Sequence, residues 1–177
     1  MIKLTKFTNA DINQLISWVT SPELLKQFAG PDFTYPLTHK QIENLIRNPD
    51  RRLYKVVALP DEKSIGHAEI YLAQESTFLC RILIGDESLR GNGIGLQIVK
   101  ELLRIAFNEL NRPRVELNVY VRNKNAIQCY KNAGFDIVTK TEDVQNSTDD
   151  YWKAVRMGID RDIWEKKTLS EMQRSLL

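Results

Sequence analysis

Three glycines on alternate positions, Gly91, Gly93 and Gly95, stand directly in front of an apolar-periodic run from Ile94 to about Leu110. Glycine has no Cβ and enters positive φ freely, so the spacing predicts a loop whose backbone N–H groups face an anion at a helix N-terminus. The helix dipole favours negative charge there, and a pyrophosphate fits. Two other phosphate loops are excluded. A dinucleotide fingerprint needs G-x-G-x-x-G and an acidic residue ending a second parallel strand, whereas these glycines run G-x-G-x-G. A P-loop needs Lys followed by Ser or Thr after its last glycine, and Gly95 is followed by Leu96 and Gln97. A plain strand-to-helix turn accounts for one glycine, but three within five residues after Arg90 point to an anion loop.

The rest of the chain places that loop inside an α/β pattern. Ile2 to Phe7 alternates as a strand, and Thr8 or Asn9 caps a helix with Ile12, Leu15, Ile16 and Val19 at helical spacing. A short helix follows Ser21-Pro22, and Thr38 caps another ending before Pro49. The period then changes to two. Leu53 to Leu59, Ser64 to Leu72 and Thr77 to Gly85 read as an antiparallel meander that ends at the glycines. Beyond the long helix come a strand from Arg114 to Val121, a short helix from Asn125 to Gly134, a closing hairpin and a polar terminal helix.

At 177 residues and 42% hydrophobic content the chain is expected to form one compact domain over residues 1–177, with 161–177 as a helical extension. A net charge of +2 is too small to call for nucleic acid or a membrane surface. No apolar run is long enough to span a membrane and MIKLTKF reads as a first strand in preference to a signal, so the expected location is the cytoplasm. Cys80 and Cys129 lack metal-ligand spacing and are assigned to packing, and no metal is expected.

Arg90-Gly91-Asn92-Gly93-Ile94-Gly95 resembles the Q/R-x-x-G-x-G/A acyl-CoA loop of the GNAT family of N-acetyltransferases. Asn123, Ala126, Tyr130 and Gly134-Phe135 resemble that family's N-x-x-A-x-x-x-Y-x-x-x-G-F segment. In element order the resemblance covers about residues 2 to 160, with specific motif residues between 78 and 136. It implies a mixed, mostly antiparallel sheet of about seven strands flanked by helices. It also implies that the fourth and fifth strands splay and that pantetheine pairs with the exposed fourth-strand edge, mapped to Leu83, Ile84 and Gly85. Asn123 would contact the pantetheine arm.

Acetyl-CoA is thus the expected co-substrate, and a primary amine on a small molecule or peptide the expected acceptor, attacking directly through a tetrahedral intermediate. Tyr130 is the expected general acid toward the departing thiolate, because a phenol with pKa near 10 stays protonated. Glu69 is the expected base, with His67 as its alternate on the same strand face. In related enzymes the acceptor pocket is walled by segments corresponding to Phe28–Pro36 and Glu142–Asp150. Asp32 beside Phe33 and Tyr35, with Asp143, Asp149 and Asp150, would suit a cationic amine. The rival reading is a CoA-binding sensor or interaction module without chemistry, and assembly as a homodimer is left open.

Overall fold

Local signals in the chain set where its elements begin. The structure, a computed structural model, describes residues 1–74, 76–139 and 150–174. Strand β1 (Ile2–Lys6) is followed by three helices, α1 (Ile12–Trp18), α2 (Pro22–Ala29) and α3 (His39–Ile46). Ser21 caps α2 by accepting from Leu24 N–H, and Thr38 caps α3 by accepting from Gln41 N–H. Strands β2 (Arg51–Ala58), β3 (Lys63–Leu72) and β4 (Thr77–Ile84) form the expected meander. Helix α4 (Ile94–Arg104) starts at Gly93 and ends in a π turn over Ile105–Glu109, a departure from the uniform helix expected to about Leu110. The wider turn lets three consecutive residues, Ile105, Ala106 and Phe107, all be buried. Strand β5 (Arg114–Tyr120), helix α5 (Lys124–Ala133), strands β6 (Asp136–Thr139) and β7 (Ala154–Asp160), and helix α6 (Arg161–Arg174) complete the order.

The seven strands make one mixed sheet in the order β1-β2-β3-β4-β5-β7-β6, antiparallel except for β4 against β5. Helices cover both faces. Ile98, Val99, Leu102 and Leu103 of α4 are buried with Phe135 on one side. Ile12, Leu15, Leu25, Phe28, Ile42 and Leu45 of the first three helices are buried on the other. No helix among the described residues is long and apolar enough to cross a membrane.

Two irregularities in β4 position the site. Its parallel pairing with β5 is confined to Thr77 with Val115 and Phe78 with Glu116, after which the strands part. β5 is paired along its whole length with β7, so the gap opens on one side only. The second irregularity is a bulge against β3. Glu69 lies opposite Cys80 and His67 opposite Leu83, so two steps on β3 match three on β4. The extra residue reverses the facing of β4. Leu79 packs in the cluster with α4 and Leu83 in the cluster with α1–α3, although a regular strand would put both on one face. At the bulge Arg81 has φ +47°.

Candidate active site

The gap between β4 and β5 opens into a cleft of about 930 Å³. Leu83, Ile84, Arg90, Gly91, Gly93, Gly95, Asn123 and Tyr130 all line it, as do Cys80 and Cys129. At the loop, Gly91 and Gly93 have φ of +81° and +78°, and a Cβ built on either meets nothing within 4 Å. Backbone conformation, not crowding, therefore demands glycine at both. The open space in front adjoins the first turn of α4, whose leading N–H groups have no acceptor within the helix. That cradle fits an anion such as a pyrophosphate.

The other loop residues divide by role. Arg90 donates from Nε and an Nη to Ile84 O at 3.1 and 3.0 Å, and its other Nη pairs with Glu87 at 2.8 Å. It clamps the end of β4 to the loop. The Ile84 carbonyl is thus turned away from β3, while the next N–H, that of Gly85, donates to Ile65 O on β3 at 2.9 Å. Gly85 was expected on the ligand edge, but its backbone serves the sheet. Its missing Cβ makes room for the Trp18 indole, whose nearest atom would lie 2.1 Å away. Asn92 turns its amide to Ser88 O, and Ile94, the first residue of α4, packs on the core; neither lines the cleft. Asn123 caps α5, its Oδ1 accepting from Ala126 N–H at 3.2 Å.

Tyr130 lies half-buried on α5, its ring edge-on to Phe135 with centroids 6.0 Å apart. Burial pushes its phenol well above the ordinary value, and the neighbouring Cys129 and Cys80 sulfurs add to the rise. Burial also pushes the Cys80 thiol up to about 11 and raises Cys129. The cysteines, assigned by sequence to packing, are therefore partly buried cleft residues with almost no thiolate at neutral pH.

Glu69 departs furthest from expectation. Its side chain is fully buried behind the cleft wall, and both oxygens are committed: Oε1 to His67 Nε2 at 3.0 Å, Oε2 to Arg51 at 3.1 Å and Arg81 at 2.9 Å. Burial alone would raise its pKa, but the His67 hydrogen bond and the Arg81 and Arg51 charges outweigh this and hold it below the usual carboxylate range. A carboxylate so stabilised is a poor base, and Glu69 does not line the cleft. His67 is no better placed. Its ring is buried edge-on to Phe7 and Phe28, with centroids 4.8 and 6.0 Å away, and Nε2 is taken by Glu69.

Arg81, Arg51 and Asp32 complete this network. Arg81 also donates to Asp32 Oδ2, and its guanidinium lies 4.8 Å over the Phe33 ring. Neither arginine was singled out by sequence. The signal was there for Arg81, since an arginine inside the apolar strand TFLCRILI must find carboxylates when buried.

On the acceptor side the cleft wall includes Phe28, Ala29, Gly30, Pro31 and Asp32. Asp32 is the one carboxylate among the described lining residues. Tyr35 is exposed and donates to Thr20 O. Asp143 and Asp149 lie outside the described residues, and Asp150 opens a short 3-10 turn before Trp152. The buried Tyr120 hydroxyl, on the same wall, has no hydrogen-bond partner among the described residues. No group of three or more His, Cys, Asp or Glu among the described residues is arranged to hold a metal.

Parted strands beside a glycine-rich helix start define, as a class, the cleft of an acyl-CoA-dependent acyltransferase. The family description "Acetyltransferase (GNAT) domain" matches residues 2–136, and the chain belongs to the GNAT family as an acetyl-CoA-dependent N-acetyltransferase. It is 23% identical over 148 residues to an aminoglycoside N(6')-acetyltransferase type 1 of Klebsiella pneumoniae, covering 76% of this chain and 74% of that one. It is 29% identical over 106 residues to the L-amino acid N-acetyltransferase AaaT of Escherichia coli (strain K12), covering 58% and 64%. The fold superposes with a TM-score of 0.77 on the spermidine N-acetyltransferase of Vibrio cholerae in complex with CoA and spermine, at 19% identity over 93% of this chain and 98% of that one.

Proposed function

We propose that the chain transfers an acetyl group from acetyl-CoA to a primary amine by direct attack within the β4–β5 cleft. The observation that carries this reading is the early parting of the two strands, which leaves a backbone edge open beside the Gly91–Gly95 loop and Tyr130. Acetyl-CoA supplies the activated thioester carbonyl. The first turn of α4 receives the pyrophosphate, and Gly91 and Gly93 allow the backbone to approach it. The open β4 edge around Ile84 pairs with the pantetheine amides and offers donors toward the carbonyl oxygen, where charge develops. Asn123, which caps α5 through Oδ1, has its amide nitrogen left for the pantetheine arm. Tyr130, kept protonated by burial, gives its proton to the departing sulfur. The raised thiol pKa values of Cys80 and Cys129 favour direct transfer over an acylated cysteine.

Aminoglycosides, L-amino acids and spermidine, the acceptors in the relatives' names, are all amines. For this chain Asp32, with Oδ2 on Arg81, is the group we assign to the incoming ammonium, and water removes the proton. A screen of primary amines for CoA release tests the activity. Turnover with at least one amine is the expected result, and tight CoA binding without turnover on any amine would mark a sensor instead.

Two variants probe the halves of the cleft. Gly93→Val forces a β-branched residue to φ +78° at the loop, and calorimetry should show weaker binding of CoA and acetyl-CoA alike. Equal affinity in wild type and variant would remove the loop from the pyrophosphate site. Asp32→Asn should raise KM for a cationic acceptor by about fivefold, the scale of a partly exposed charge contact, and added salt should do the same to the wild type. An unchanged KM for every accepted amine would place the ammonium elsewhere.

A further inference from the structure

Resting on that reading, we propose that Arg81 is a positioning residue for acetyl transfer: the buried Glu69 carboxylate pins its guanidinium and so holds the β4 bulge that presents the Ile82–Ile84 edge to the thioester. The backbone supplies the first argument. An arginine at φ +47° occupies the left-handed region, which L side chains enter at a cost and which persists only when the surroundings over-determine it. Here the surroundings do. The side chain is 5% exposed, one Nη donates to Glu69 at 2.9 Å, the other donates to Asp32, and the guanidinium covers the Phe33 ring.

The second argument is what the bulge does to the strand. One extra residue reverses the facing of side chains and backbone groups for everything after it, as the separation of Leu79 and Leu83 into opposite clusters shows. Beyond the bulge, Gly85 N–H points to β3 and Ile84 O points away from it, to Arg90. By alternation Ile82 shares the outward direction of Ile84, so its N–H and C=O also face the gap left by β5. Without the extra residue those groups would turn toward β3.

The third argument is the anchor. Glu69 pairs across the ladder with Cys80, the residue just before Arg81, and is held by His67, Arg51 and Arg81 together. The far end of the guanidinium reaches Asp32 on the acceptor wall, so one side chain ties β3 and that wall to the strand edge. A shift of about 1 Å at such a place costs on the order of 10²-fold in rate.

The test uses Arg81→Gly, which deletes the guanidinium yet accepts positive φ, and Arg81→Lys, which keeps charge opposite Glu69 but cannot bridge both carboxylates. Calorimetry with CoA counts competent sites, and turnover with an amine identified in the screen is expressed per site. Infrared difference spectra of bound acetyl-CoA labelled with ¹³C at the thioester carbonyl report its polarisation. In wild type the carbonyl band should shift to lower frequency on binding. Arg81→Gly should lose most of that shift and lower kcat per site by about tenfold to 10²-fold, with CoA affinity changed less than about threefold, and Arg81→Lys should fall between. If Arg81→Gly does not fold, Arg81→Lys alone decides by the same two readouts. A wild-type kcat per site and carbonyl band in the folded variants would overturn the proposal, as would a loss wholly explained by fewer CoA-competent sites. Failure of the transferase reading appears separately, in the wild type, as absent turnover with every amine.

Discussion

Tyr130→Phe is expected to lower kcat by roughly 10²–10⁴-fold while leaving acetyl-CoA affinity nearly unchanged. The substitution keeps the ring that packs edge-on to Phe135 and removes only the hydroxyl, which makes no protein hydrogen bond among the described residues. Structural cost should therefore be small, and the deficit should lie in the chemical step. The direction of the phenol's shift sharpens the expectation. Burial raises its pKa, so the proton is retained through the range where a free tyrosine would begin to ionise near 10. Wild-type kcat/KM should rise with pH as the acceptor amine becomes neutral, without an alkaline fall near that value. Single-turnover rates measured from about pH 7 to about pH 10 would check both statements. An unchanged rate in Tyr130→Phe where chemistry limits turnover would remove this residue from the mechanism.

What the sequence disclosed, and what it withheld, follows from how local each signal is. Caps are written in the residues they use, so Ser21 and Thr38 mark α2 and α3 directly. The positive φ of Gly91 and Gly93 is equally local, and the loop was legible from its spacing. The bulge was not. TFLCRILI is apolar on both sides of Arg81, and nothing inside it says that the facing reverses there. That instruction is held by Glu69 on the neighbouring strand and by Asp32, 49 residues away. Gly85 differs for a related reason: the resemblance maps it with Leu83 and Ile84 to the exposed β4 edge, whereas its N–H is bonded to β3 and its space is filled by Trp18 from α1. Glu69, with His67 as its alternate at period two, reads as an accessible base because the resemblance puts their strand beside the acceptor. Only the packing of Phe7 and Phe28 and the approach of two arginines show both side chains to be sealed off. Residue types thus announced the chemistry available, and long-range partners decided which groups could use it.

Those same partners make Glu69→Gln the variant with the largest expected cost in stability. Gln keeps the shape but removes the charge, leaving the guanidiniums of Arg51 and Arg81, 13% and 5% exposed, short of a buried counter-ion. Breaking a buried pair in this way costs roughly 3–5 kcal/mol, and in a chain of this size that lowers Tm by on the order of 10 °C. The loss should depend on pH in a definite sense. Burial raises the Glu69 carboxyl, but the His67 hydrogen bond and the two arginines more than offset it, so the folded pKa lies below the unfolded one. The contribution is fully present above the ordinary carboxylate range and fades as pH falls through the lowered folded value. The gap between wild type and Glu69→Gln should therefore narrow below about pH 4. Activity discriminates between anchor and base. If Glu69 holds Arg81 and the bulge, kcat/KM per CoA-competent site falls by a similar factor at every pH, and the limb set by the acceptor amine keeps its shape. A base would behave otherwise, because its loss is felt most at low pH, where few acceptor molecules arrive neutral. Wild-type stability in Glu69→Gln together with a rate deficit that grows toward low pH would return the proton-removing role to Glu69.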